Sequence, residues 1–228
     1  MFLYLDQISE ISLQDLILYS SVSTEILPVI FYLLFAKNKN KSVRVVFFLL
    51  IVNLINDIWG IYRYTQLKTN FLSYNFFIVY ETVSLYFFYR LILNSPLVKK
   101  ILLTILSLFI IFWIFHFSKS GQTDFLYPCV TFENIIIMVS AIYFYYEEIF
   151  LLNKPFIYLN PNFWIVSAYF LNASGTFFLL LYIPDLNATG QLKYYALNYM
   201  FLIIRSILLS IAMCMPDKDK QKEQFKIN

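Results

Sequence analysis

Seven stretches of mostly apolar residues, each near the length of a bilayer-crossing helix, decide what this chain can fold into. They fall at Leu16–Ala36, Val43–Tyr64, Asn75–Asn94, Ile101–Phe117, Cys129–Leu152, Phe163–Ile183 and Tyr194–Met213. A helix needs about 20 residues to cross the roughly 30 Å hydrocarbon layer. None of the stretches alternates with period two, so a barrel is not supported, and helices are the other way to satisfy a backbone in lipid. The fourth stretch reads as the shortest and the fifth as the longest. Between them lie polar breaks such as KNKNK at 37–41, SKSGQTD at 118–124 and LNPN at 159–162. Composition agrees: 60% of residues are hydrophobic and 14% charged, where globular chains average about 45–50% and about 25%. A mean hydropathy of +0.67 leaves too few polar residues to cover a water-facing surface. A soluble enzyme, a disordered regulator and a nucleic-acid module are excluded on these grounds.

The expected fold is therefore an all-α transmembrane bundle of about seven spans. Orientation follows from where the basic residues lie. Lys37, Lys39, Lys41, Arg44, Lys99, Lys100, Lys154, Lys218, Lys220, Lys222 and Lys226 share one side, against Arg63, Lys68, Lys119 and Lys193 on the other. With Arg90 and Arg205 inside spans, this accounts for all 17. The asymmetry places the N-terminus outside and the C-terminus in the cytoplasm. Residues 1–215 read as one transmembrane domain and 216–228 as a charged cytoplasmic tail. The start, MFLYLDQISEIS, lacks the basic n-region and cleavage site of a signal peptide, and no soluble output module is expected.

Ionisable residues within spans cost on the order of 2.5–3.5 kcal/mol each and face the bundle interior or a water-filled space. The candidate ligand-binding or cavity-lining set is Glu25, Asn53, Asp57, Glu81, Glu133, Asn172 and Arg205. Asp57, Glu81 and Glu133 fall in the outer halves of their spans, and Glu25 and Arg205 nearer the middle. This predicts an outward-opening polar cavity rimmed by three carboxylates, with Arg205 toward its floor and Glu25 as the partner of that arginine. The plainer reading is that these groups serve as interhelical glue or sit at headgroup level. Glu147 and Glu148, at the cytoplasmic end of span five, are expected to be solvated. His116 reads as interfacial, and Asn172-Ala173-Ser174-Gly175-Thr176 as a small polar stretch where a neighbouring helix approaches.

A metal site needs three or four convergent ligands, and His116, Cys129 and Cys214 are scattered, so neither metal nor cofactor is expected. Retinal binding needs a lysine in the last span, where this chain has Arg205. Glu147-Glu148 lacks the arginine four positions on and the histidines of CAAX-type proteases, and His116 has no GxSx partner for rhomboid chemistry. The pieces Tyr80-Glu81, Phe163-Trp164-Ile165 and Gly175-Thr176-Phe177-Phe178 resemble small seven-span bacterial membrane proteins of unknown function, companions of sensor kinases. The resemblance implies architecture and no activity. Richness in Phe, Tyr, Ile, Asn and Lys fits AT-rich coding and a bacterial cytoplasmic (inner) membrane.

No catalytic residue is assigned. The expected function is a non-catalytic, receptor-like or accessory membrane protein, with the lipid bilayer, a small ligand and a membrane or cytoplasmic protein partner as its contacts and no nucleic acid. One alternative is a small transporter or channel using intramembrane carboxylates. Another is a lipid-acting enzyme using a carboxylate pair such as Asp57 and Glu81.

Overall fold

The computed structural model describes residues 13–35, 40–66, 68–120, 123–152, 156–182 and 188–216. Lys37, Lys39, Lys154 and the tail 217–228 lie outside the described residues. Every described regular element is helical: α1 Leu13–Phe35, α2 Lys41–Thr65, α3 Phe71–Ile92, α4 Pro96–Ser120, α5 Tyr127–Tyr146, α6 Pro161–Tyr182 and α7 Ala188–Cys214. One π turn, Glu147–Leu151, extends α5, and a 3-10 turn, Ile157–Leu159, precedes α6.

Five of the seven helices are long and apolar enough to cross a membrane: Lys41–Arg63, Pro96–Lys119, Tyr127–Leu151, Pro161–Leu181 and Leu197–Cys214. The chain is thus a multi-pass, all-helical membrane protein. In α1 a shorter apolar run, Tyr19–Phe35, is present. Four tyrosines, Asn75, Glu81 and Arg90 keep α3 below the same apolarity. The fourth helix is not the shortest, because it runs for 25 residues from Pro96 and takes Lys99 and Lys100 into its first turns. The longest is α7, with 27 residues.

Six helices close a ring in which α1 packs on α2, α2 on α3, α3 on α5, α5 on α6, α6 on α7 and α7 back on α1. Outside the ring, α4 lies against α3 and α5. Only 11% of its span is buried, against 33% to 39% in the other four, so its apolar residues face lipid on most sides. Its inner seam is Phe109, packed with Ile78, Leu126 and Cys129. Trp113 Nε1 also donates to the Asn75 carbonyl at 2.9 Å. The buried Asn75 amide in turn donates to Asp124 O and accepts from Leu126 N–H, which fixes the turn into α5.

The ring is solid at one end and hollow at the other. Val43, Val46, Leu49, Phe88, Phe144, Ile165, Val166, Leu209 and Met213 fill the end where α2, α4 and α6 begin. There Tyr32 stacks on Phe47 at 3.8 Å between centroids. The small stretch in α6 does admit a neighbour: a Cβ on Gly175 would overlap the Phe201 ring of α7.

Glu147 and Glu148 are not solvated but 2% and 3% exposed. The reason for Glu147 lies in the tight connection between α3 and α4, whose amides have no partner within a helix. The Glu147 carboxylate accepts from Asn94 N–H at 2.9 Å, Ser95 N–H at 3.0 Å and the Asn94 side chain at 3.3 Å. The π turn begins at this residue, and its side chain serves that connection rather than water. Hydrogen bonds to a charged group are worth about 1.5–3 kcal/mol. Glu147→Ala should therefore lower stability by about 2–4 kcal/mol in a denaturant titration, with Glu147→Gln losing less; an unchanged midpoint would show that the connection does not depend on this carboxylate.

Candidate functional site

The hollow end of the ring holds a cavity of about 570 Å³. Each ring helix presents a stripe to it at helical spacing. From α1 come Ser21 and Glu25; from α2, Asn53, Asp57 and Gly60; from α3, Tyr74, Ile78 and Glu81. From α5 come Val130, Glu133 and Ile137; from α6, Asn172, Thr176 and Leu179; from α7, Asn198, Leu202 and Arg205. No α4 residue lines it. The loop between α2 and α3 adds Lys68 and Asn70 at the end of the bundle. Because these stripes recur every three or four residues, all six helices place polar groups on one wall without being broken, and apolar residues such as Ile78, Ile137 and Leu202 cover the rest of it. The helices α1 and α2 pass unbroken through Pro28 and Gly60.

All seven residues singled out in the sequence line this one space. Arg205, 5% exposed, is its deepest charge and holds two carboxylates. Arg205 Nη2 donates to Glu25 Oε1 at 3.0 Å, and Nη1 lies 3.6 Å from Glu81 Oε1. Asn53 Nδ2 donates to the other Glu25 oxygen at 2.8 Å. Below, the guanidinium carbon sits 5.8 Å from the Tyr169 ring centroid, within cation–π range. The contact with Glu25 is the one expected from the depths of the two residues.

Glu81 departs from expectation. It belongs to the floor with Arg205 and not to an outer rim. The helix that carries it begins at Phe71, four residues before the expected Asn75. That extra turn carries Glu81 about 6 Å deeper at 1.5 Å per residue. Glu133 is only 3% exposed. Its carboxyl lies 2.8 Å from the Thr82 hydroxyl, whose single proton is shared with the Ile78 carbonyl. Asp57 accepts from the Tyr74 hydroxyl at 3.1 Å. Gly60 makes room for that tyrosine, since a Cβ there would come 2.9 Å from its oxygen. Asn134 Nδ2 reaches Thr176 Oγ1 at 3.4 Å, and Asn172 Oδ1 is buried with no partner among the described residues.

Tyr74, Thr82, Thr176 and Tyr169 were not anticipated from the sequence. Tyr74 was legible in principle: it stands seven residues before Glu81, with Ile78 between, on one helical face. Thr82 and Thr176 carry no such signal, because a threonine in a span more often bonds its own helix, as both also do here. His116 lies away from the cavity, its ring bonded to Phe112 O at 3.0 Å in α4. Among the described residues no three His, Cys, Asp or Glu side chains are placed to hold a metal ion.

No protein-family model, characterised protein or solved structure matches the chain. The roles of these residues rest on their geometry.

Removing one member of a buried pair costs about 3–5 kcal/mol because it strands the other charge. Arg205→Leu strands both Glu25 and Glu81, whereas Glu25→Leu leaves Arg205 with Glu81. Arg205→Leu should therefore lower the folded fraction more than Glu25→Leu, and the double variant should recover part of the Arg205→Leu loss. Size-exclusion yield of the three variants in mild detergent measures this. Strict additivity would mean that the two residues are not coupled.

Proposed function

We propose that this protein is a seven-span, non-catalytic receptor of the bacterial cytoplasmic membrane, with the N-terminus outside and the C-terminus in the cytoplasm. In this reading the cavity binds a small ligand arriving from outside, and the signal leaves through a partner chain. The observation that carries it is the one-ended cavity: about 570 Å³ lined by six helices at one end of the ring and backed by a packed apolar core at the other. A site closed on one side suits binding and release on the same side better than passage. Unbroken α1 and α2 point the same way, since midplane transport sites are typically formed by interrupted helices.

Orientation rests on the basic residues. The solid end carries Lys41, Arg44, Lys99 and Lys100, while the cavity end carries Arg63, Lys68 and Lys119. The ligand would bias the ring through α1 and α7, whose contact closes it and whose ends lead to both termini. The transporter reading keeps one supporting feature, the number of intramembrane carboxylates.

Side-specific labelling tests this. In a Cys129→Ala, Cys214→Ala background, Ile61→Cys places a thiol on the cavity wall and Ile58→Cys places one on the exposed, lipid-facing side of the same helix. A membrane-impermeant, charged maleimide applied to spheroplasts should label Ile61→Cys and spare Ile58→Cys. Labelling of Ile61→Cys only in inverted vesicles would reverse the topology, and labelling from neither side would remove the open cavity.

A further inference from the structure

The charges on the cavity wall do not balance. Among the described residues it carries Glu25, Asp57, Glu81 and Glu133 against Arg205 at depth and Lys68 at the loop end. Arg205 is already engaged by Glu25 and Glu81. Asp57 meets the Tyr74 hydroxyl and, across one shared proton, the Glu25 carboxyl, and Glu133 meets the Thr82 hydroxyl, so no positive charge offsets either. Neither has a basic side chain in ion-pair contact among the described residues. Carboxylates away from bulk water call for positive charge or a proton.

An anionic ligand would deepen the imbalance, and an apolar one would leave it. A bare divalent cation is poorly matched, because Ca²⁺ takes about 6–8 converging oxygens and no three of the acidic groups are placed to share an ion. Carboxylates spread around a space of about 570 Å³ suit a larger cation whose charge sits on a carbon skeleton. Phe71, Phe77 and Phe125 on the same wall supply aromatic faces for an ammonium group and its methylenes.

Asn70 Nδ2, Asn172 Oδ1 and Arg205 Nε on the wall have no partner among the described residues, and the latter two, away from the loop end, refine the ligand. Asn172 Oδ1 has no donor among the described residues, and an ammonium N–H supplies one. Arg205 Nε has no acceptor, although the side chain is 95% buried and lines the cavity. We infer that the cavity binds a small organic ammonium compound that also carries a hydrogen-bond acceptor, its cationic nitrogen toward Asp57 and Glu133 and its acceptor toward Arg205. This rests on the ligand-binding reading above and names the chemical class of the ligand.

The test uses three probes on the full chain in lipid nanodiscs. L-lysine carries ammonium groups and a carboxylate, cadaverine is the same skeleton without the carboxylate, and L-glutamate has the opposite net charge. Calorimetry should show lysine binding about tenfold or more tighter than cadaverine, and no binding of glutamate. Asp57→Asn and Glu133→Gln should each weaken lysine about tenfold. Absence of heat with both amines, preference for glutamate, or wild-type lysine affinity in both variants would overturn the assignment. Cadaverine binding as tightly as lysine would remove the acceptor from it.

A second readout avoids variants that fail to fold. With all four carboxylates intact, lysine should slow maleimide labelling of Ile61→Cys and glutamate should not. Labelling that proceeds unaffected by lysine would defeat the amine assignment while leaving the accessible cavity in place. No labelling at all would defeat the cavity itself.

Discussion

A guanidinium in the middle of a transmembrane helix is the constraint around which this bundle is arranged. Arginine stays protonated in a protein, and its placement near the bilayer centre carries a penalty unless charge and hydrogen bonds come to it. Arg205 obtains them from two other helices: Glu25 on α1 and Glu81 on α3. Asn53 on α2 then holds the second oxygen of Glu25. Four helices are thereby tied at one depth by groups that bond each other rather than lipid. The first and last helices meet along most of their length at this point, and their contact closes the ring.

That polar level divides the interior. On one side, branched and aromatic residues pack tightly, with Val46, Phe88, Ile165 and Leu209 at most 1% exposed. On the other, the same helices turn short or charged side chains inward, and a cavity remains because Ser21, Asn53, Gly60 and Thr176 do not fill it. Empty volume forfeits packing contacts, so a cavity with this lining is a feature that the rest of the ring must offset. The outer helix α4 contributes nothing to the lining. Its role is to brace α3 and α5 through Phe109 and Trp113.

Much of this was legible in the sequence, because lipid is a strict solvent. The all-helical class followed from apolar runs of bilayer length, and helix positions matched to within two turns, least well at the starts of α4 and α7. The seven polar candidates were legible because ionisable and amide groups stand out against apolar spans. What was not legible came from how helices end and turn. Glu147 looked like a solvated residue at a helix terminus, yet it serves the amides of Asn94 and Ser95 on a different connection. A span starting at Asn75 puts Glu81 one turn too shallow, because Phe71-Leu72-Ser73-Tyr74 already belongs to the helix. Hydroxyl partners such as Tyr74 and Thr82 were missed because residues common in spans carry no contrast against their surroundings.

The claim that most of the account depends on is the buried contact between Arg205 and Glu25. Solid-state NMR in lipid bilayers reads it directly, through the dipolar coupling between a ¹⁵N-labelled guanidinium and a ¹³C-labelled glutamate carboxyl. A pair with Nη2 and Oε1 3.0 Å apart gives a strong nitrogen–carbon coupling that persists at high salt and weakens in Glu25→Gln. A coupling unchanged by Glu25→Gln, or none detectable in the wild-type protein, would place Arg205 with another partner and leave the ring without its central tie.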